Sequence, residues 1–231
     1  MKARRRMATV LVSVLFLLVS LIMLFPVYYL IIGSLQDGQE IFRAGMKFFL
    51  NPGEIKWSNY PNLFTYNNGI YTRWFSNSVF YAAAFTVCAL ALSSLVGYGL
   101  GAYDFKGKNA IFVLVLAVMM IPLEILMLPL YKLIVKIKLI NTVGGIIFPF
   151  MVAPVAIFFF RQFVSGISKE FMESARIDGC TEFGIFYRIV VPLMKPAFGA
   201  MTILLAMQNW NSFVWPLIVL RDSDKFTLTI G

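Results

Sequence analysis

The sequence predicts an all-α, polytopic transmembrane helical bundle, and three observations carry that expectation. Hydrophobic residues fill 60% of the 231 positions and charged residues only 13%, against roughly 45–50% and about 25% in soluble domains. The charges are placed so that they leave five long apolar intervals. No interval alternates with the period of two expected of a membrane barrel. Backbone hydrogen bonds in lipid must close within a segment, so the intervals are expected to be helices. The same composition excludes a soluble enzyme. There is no His, which removes imidazole metal ligands, Ser–His and Cys–His pairs and the commonest general base. Cys88 and Cys180 lack Cys-x-x-Cys spacing and read as free thiols, with no disulfide framework and no zinc site. The formal charge of +9 is assigned to loops flanking membrane spans and not to nucleic-acid binding.

In chain order, residues 7–36 form 30 uncharged positions and 74–103 another 30. Residues 109–131 form 23 whose only charge is Glu124, 139–160 form 22 and 196–220 form 25. Each interval meets the about 20 residues that a helix needs to cross a ~30 Å hydrocarbon core. Spans are therefore placed at about 7–34, 77–103, 109–131, 140–160 and 196–220, in one transmembrane domain covering 1–231. The basic start Met1-Lys-Ala-Arg-Arg-Arg6 is similar to a signal-peptide n-region. The apolar run behind it exceeds the roughly 7–15 residues of such a peptide, and no Ala-x-Ala site follows, so an uncleaved anchor with a cytoplasmic N-terminus is expected. Alternation then puts 37–73 outside and 161–195 inside. Eleven Lys and Arg fall inside and nine outside, a weak bias that Lys132, Lys136 and Lys138 oppose; the first helix sets the orientation. Residues 37–73 carry Pro52, Gly53, Asn59, Pro61, Asn67, Asn68 and Gly69 and read as an external loop with one or two short helices.

The most informative stretch is 168–196. Lys169 to Asp178 holds competent helix formers, and Gly179 suits the left-handed position that ends a helix. Thr181 is an N-cap for a second helix, with Glu182 complementing its dipole. Residues 168–188 are therefore expected to form a cytoplasmic helix–turn–helix, with Phe171, Met172, Ala175 and Ile177 beside charges of both signs. An interfacial helix lying on lipid is the plain alternative, but such helices carry a strongly basic face. This one is balanced, and Glu173 is spaced to pair with Arg176 at i,i+3. A protein partner fits better.

Glu173-Ser174-Ala175, three residues, Gly179, nine residues, Ile189, one residue and Val191-Pro192 resemble the EAA motif of ABC importer permeases, with Ser174 for Ala and Val191 for Leu. The flanking residues resemble the carbohydrate branch, the MalG-like subunits. So do Asn77-Ser78, Met120-Ile-Pro122, Pro129-Leu-Tyr131, Asn141-Thr142, Trp210-Asn211 and Trp215-Pro216. The resemblance implies a multi-pass permease of the bacterial cytoplasmic membrane in a binding-protein-dependent sugar importer. It also implies a heterodimer with a second permease subunit, cytoplasmic ATPase subunits and an extracytoplasmic sugar-binding protein. It assigns ATPase coupling to Glu173, Ser174, Ala175, Asp178, Gly179, Ile189 and Pro192. No Gly-x-x-x-x-Gly-Lys-Ser/Thr run occurs, so the chain is expected to be no enzyme, to need no cofactor, and to rely on ATP hydrolysis in another subunit. The family has six spans; the chain ends after a fifth, and the expectation is a truncated product.

Within the spans, Glu124 is the only acid, and buried acids often line a polar route. The fifth span holds Gln208, Asn209, Asn211 and Ser212 beside Trp210 and Trp215. Amides beside aromatic faces suit sugar rings, whereas helix–helix amide contacts are the plain alternative. Glu124, Asn209, Trp210 and Asn211 are the candidate pathway residues. The alternative function is an ion-coupled secondary transporter, a class that tends to show inverted repeats and midplane acids; no repeat is visible here. Gly97 and Gly101 have the Gly-x-x-x-Gly spacing of close helix packing.

Overall fold

The computed structural model describes residues 2–231, with side chains from residue 6 onward except at residue 8; the basic side chains before Arg6 lie outside the described set. Every regular element among the described residues is helical. Two compact units result, residues 1–69 and 70–231.

The first unit holds α1 (Lys2–Ser34), α2 (Gly38–Ala44) and α3 (Asn59–Thr65). Within α1, Thr9–Ser34 is long and apolar enough to cross a membrane. Segment 37–69 keeps its shape through side-chain bonds to backbone. Asp37 caps α2 by accepting from the Gln39 N–H at 2.9 Å. The Gln36 amide donates to the Lys47 carbonyl at 2.8 Å and accepts from the Lys47 N–H at 3.0 Å. Asn59 donates to the carbonyls of Ser34 and Gln36.

The second unit is built on α4 (Ile70–Ala102), whose 33 residues include one of the membrane-long stretches. Helical structure starts at Ile70, seven positions before the expected span. After it come α5 (Lys108–Met119), α6 (Leu123–Lys136), α7 (Val143–Ile147), α8 (Pro154–Ser165), α9 (Lys169–Ile177), α10 (Glu182–Ile185), α11 (Val191–Leu193), α12 (Lys195–Trp210) and α13 (Val214–Val219). Residues 186–190 form a π-helical turn that joins α10 to α11.

Two of the apolar intervals are bent at a break, and a third bend stands just before the fifth interval. Lys108–Met119 meets Leu123–Lys136 at 100°, Val143–Phe150 meets Pro154–Ser165 at 46°, and Glu182–Leu193 meets Lys195–Trp210 at 79°. Pro122 and Pro154 stand at two of these breaks, where a missing N–H and a fixed φ stop a helix from running on. The expected span 196–220 is also divided, since α12 ends at Trp210 and α13 begins at Val214.

The core lies where α8 and α12 pack on α4. Ala89, Ala156, Phe160, Val164, Val190, Met194, Ala197 and Leu205 are essentially fully buried, and the Phe160 and Phe198 rings meet at 4.8 Å. Gly97 and Gly101 make the α4–α8 approach possible. A Cβ on Gly97 would stand 2.6 Å from the Phe160 Cβ, and one on Gly101 would stand 2.7 Å from Val164. Arg161 on α8 places its guanidinium 3.6 Å from the centre of the Phe112 ring, a cation–π contact.

Candidate functional site

The α9–α10 pair is assembled by local chemistry. Ser168 caps α9, accepting from the Glu170 N–H. The helix ends in a Schellman turn: Gly179 sits at φ +80, its N–H donates to Arg176, and the Cys180 N–H donates to Ala175 at 2.9 Å. Thr181 then caps α10 by accepting from the Gly184 N–H at 3.2 Å. This turn folds the chain back, so that Arg176 pairs with Glu182 and not with Glu173. The guanidinium donates to both Glu182 carboxylate oxygens, at 2.7 and 3.3 Å.

Residues beyond the motif fasten the pair to the end of α4. The Tyr103 hydroxyl donates to Glu182. Asp104 accepts from Lys169 at 2.9 Å and from Lys108 at 3.1 Å. Sequence reasoning missed Tyr103 and Asp104. The one local signal was Asp104 and Lys108 at i,i+4; Lys169 is too distant in sequence for any local rule to find. Hydrogen bonds from Arg176, then from Tyr103, hold the Glu182 carboxyl below its ordinary value, and those from Lys169 and Lys108 do the same for Asp104.

Tyr103, Asp104, Lys169, Arg176, Glu182 and Glu173 line a cavity of about 400 Å³. The Glu173 carboxylate makes no ion pair or hydrogen bond with another described residue and is exposed. Ser174, Asp178 and Gly179 are exposed, whereas Ala175 is buried beneath α9 and Ile189 is half-buried in the π-helical turn. Pro192 is exposed in α11. The predicted coupling residues thus share one helix–turn–helix and its continuation, with Glu173 open to a partner and Ala175 serving the interior.

A second cavity, of about 710 Å³, lies where the breaks at 120–122, 151–153 and 211–213 meet. Asn209 and Asn211 line it, as do Gln208, Ser212 and Trp215; Trp210 and Glu124 do not. Trp210 stacks edge-on against Phe75 at 5.9 Å, and Glu124 is exposed in the first turn of α6.

The opposite end of α4 carries a strap. Trp74 donates to the Ser223 carbonyl at 2.7 Å, Asn77 to the carbonyls of Asp224 and Phe226, and Ser78 accepts from the Leu228 N–H at 2.9 Å. Asn141, at φ +61, accepts from the N–H groups of Arg221 and Asp222 and donates to the Asp222 carboxylate. Asn77-Ser78 and Asn141, singled out in sequence by resemblance alone, share this contact.

The second unit is thus a helical bundle long and apolar enough to cross a membrane, with a folded helix pair tethered beside the end of α4. Residues 93–231 match the family described as binding-protein-dependent transport system inner membrane component. Among curated relatives, the chain is 52% identical over 216 residues to the arabinooligosaccharides transport system permease protein AraQ of Bacillus subtilis, covering 94% of this chain and 76% of that protein. It is 31% identical to the lactose transport system permease protein LacG of Rhizobium radiobacter, covering 98% and 81%. It is also 31% identical to the sn-glycerol-3-phosphate transport system permease protein UgpE of Pectobacterium atrosepticum, covering 91% and 76%. A crystal structure of a bacterial ABC transporter involved in the import of the acidic polysaccharide alginate superposes with a TM-score of 0.86 at 25% identity, over 97% of this chain and 78% of that one. The chain belongs to the family of binding-protein-dependent transport system inner membrane components, and the relatives named here are transport permeases.

Proposed function

We propose that this chain is one of two membrane-spanning permease subunits of an ATP-driven sugar importer, with its N-terminus and the α9–α10 pair in the cytoplasm. The relatives named for arabinooligosaccharides and lactose support the sugar assignment. ATP is hydrolysed by separate cytoplasmic subunits, a second permease completes the pathway, and an extracytoplasmic binding protein delivers the sugar. Closure of the ATPases moves α9 and α10, and alternating access follows.

One observation carries the coupling reading: the Glu173 side chain stands unpaired on a short helix that Gly179 ends sharply, that Asp104 holds through Lys169 and that Tyr103 holds through the Glu182–Arg176 pair. A free carboxylate on a fixed helix offers a basic residue of the ATPase a partner without first breaking an internal ion pair. Ile177 and Phe183, 86% and 69% exposed, add apolar surface beside it. The test is Glu173→Lys in the reconstituted importer. Attraction becomes repulsion, so membrane-retained ATPase and sugar-stimulated hydrolysis should both fall while membrane insertion is unchanged. Normal values for both would remove the coupling role.

A further inference from the structure

We propose that Arg161 on α8, with Phe112 and Lys108 on α5, holds the phosphate of an anionic phospholipid in the cytoplasmic leaflet. The proposal goes beyond the transport reading and takes from it only the side of the membrane on which α9 and α10 lie.

The guanidinium carries the inference. Arg161 is half-buried, and its Nε is closed off from solvent with no hydrogen-bond partner among the described residues. Its Nη groups bond to no described residue either, and it forms no ion pair with one. The Phe112 ring, 3.6 Å away, covers one face of the guanidinium. A ring face takes none of the five N–H bonds that the group offers in its own plane. A charge drawn out of water without an acceptor is costly. The neighbouring helices supply no carboxylate, since α4, α5 and α8 contain no Asp or Glu. Asp104 and Glu182, at the cytoplasmic end of the bundle, are already taken by Lys108 and Lys169 and by Arg176 and Tyr103. The missing acceptor is therefore an anion from outside the chain.

Position identifies its source. Arg161 stands four residues before the end of α8, and Phe112 four residues after the start of α5. At 1.5 Å per residue both lie about 6 Å inside their helix ends, the depth at which long cationic side chains meet headgroups. Phe105, Ile111, Val113 and Leu114 are exposed on and beside α5 and offer apolar surface to acyl chains, which a soluble anion does not have. Lys108, one turn before Phe112, shares its face of α5, and Lys106 is exposed and in no ion pair. This excess of positive charge favours a net-negative headgroup over a zwitterionic one, as basic pockets between helices on the cytoplasmic side do. A carboxylate of the second permease is the competing occupant.

The test uses the purified importer, delipidated in detergent, with dioleoylphosphatidylglycerol, dioleoylphosphatidylcholine and inorganic phosphate as probes. Phosphatidylglycerol should raise the melting temperature of the parent; phosphatidylcholine and phosphate at the same concentration should not. Arg161→Gln should raise the half-saturating phosphatidylglycerol concentration about 10- to 100-fold, the loss of charge-assisted hydrogen bonds, and Arg161→Lys should restore part of it. Phosphatidylglycerol with a photoreactive headgroup should label residues 105–112 or 158–165 of the parent, a reading that needs no variant to fold. The proposal fails if Arg161→Gln responds like the parent, if phosphatidylcholine stabilises equally, or if inorganic phosphate alone does so, which would mark a soluble-anion site. It fails equally if the label falls elsewhere, or if Arg161→Cys cross-links to the second permease whatever the lipid. None of these readings involves transport, so such a failure leaves the importer reading standing. An importer that responds to lipid as expected but takes up no sugar would uphold this site and overturn that reading alone.

Discussion

Glu182 accepts from three donors on two residues, two from Arg176 and one from Tyr103, and so ties α9, α10 and the end of α4 together. Its carboxyl is held below the ordinary 4.5. A carboxylate lowered in the folded state contributes stability that is fully present above its unfolded value and is lost as pH falls through the folded one. Attachment of the ATPase should therefore be flat between about pH 5 and 8 and should loosen only in stronger acid, as read by co-sedimentation with membranes. Glu182→Gln should weaken the tether at neutral pH, by about 0.2–1 kcal/mol for an exposed ion pair, lowering the melting temperature of the purified complex slightly. Gly179→Val should do more, because a β-branched residue at φ +80 costs on the order of 1–2 kcal/mol. It should tilt α10 and release the ATPase, measured as hydrolysis retained on the membrane. Gly179 and Thr181 were legible in the sequence because their roles are local. The partner of Arg176 was not: i,i+3 spacing favoured Glu173, and only the chain reversal at Gly179 brings Glu182 closer.

At the scale of elements, α4 is the helix on which the second unit is assembled, and its glycines make the point testable. Gly97 and Gly101 face α8 with no room for a Cβ, whereas a Cβ on Gly99 meets nothing within 4 Å. Gly97→Ala or Gly101→Ala should force α8 away and destabilise the protein by about 1–3 kcal/mol, as overpacking does. Gly99→Ala should be neutral or stabilising by up to about 1 kcal/mol. Thermal unfolding in detergent would rank the three. The strap offers a second test: Asn141→Ala removes the acceptor for Arg221 and Asp222 and the donor to the Asp222 carboxylate. Amides 221–225 should then exchange faster with deuterium while the core stays protected. The Gly-x-x-x-Gly face was readable from spacing alone, and the apolar intervals from composition. The breaks were only half readable. Proline announces those before α6 and α8, but none marks residues 211–213, where the Thr229 hydroxyl donates to the Ser212 carbonyl at 2.9 Å from a segment far along the chain. Periodicity sees no such long-range contact. For the same reason Trp210 was grouped with Asn209 and Asn211, although only the two amides border the cavity.

For the whole molecule, the proposed orientation places α9 and α10 in the cytoplasm, and Cys180, an exposed free thiol in their turn, reports on it. A membrane-impermeant maleimide should leave Cys180 unlabelled in intact cells and label it after permeabilisation; labelling from outside would reverse the topology. The bend between α5 and α6 has a further consequence, for how the protein is made. With 12 and 14 residues, these helices are about 18 Å and 21 Å long at 1.5 Å per residue, and neither alone spans a ~30 Å hydrocarbon layer. On the proposed orientation the two together make one crossing, so the insertion machinery should release them as a single bent span and not one at a time, unlike a segment such as α1. The first half should then wait for the second, which is complete only once residue 136 has been synthesised.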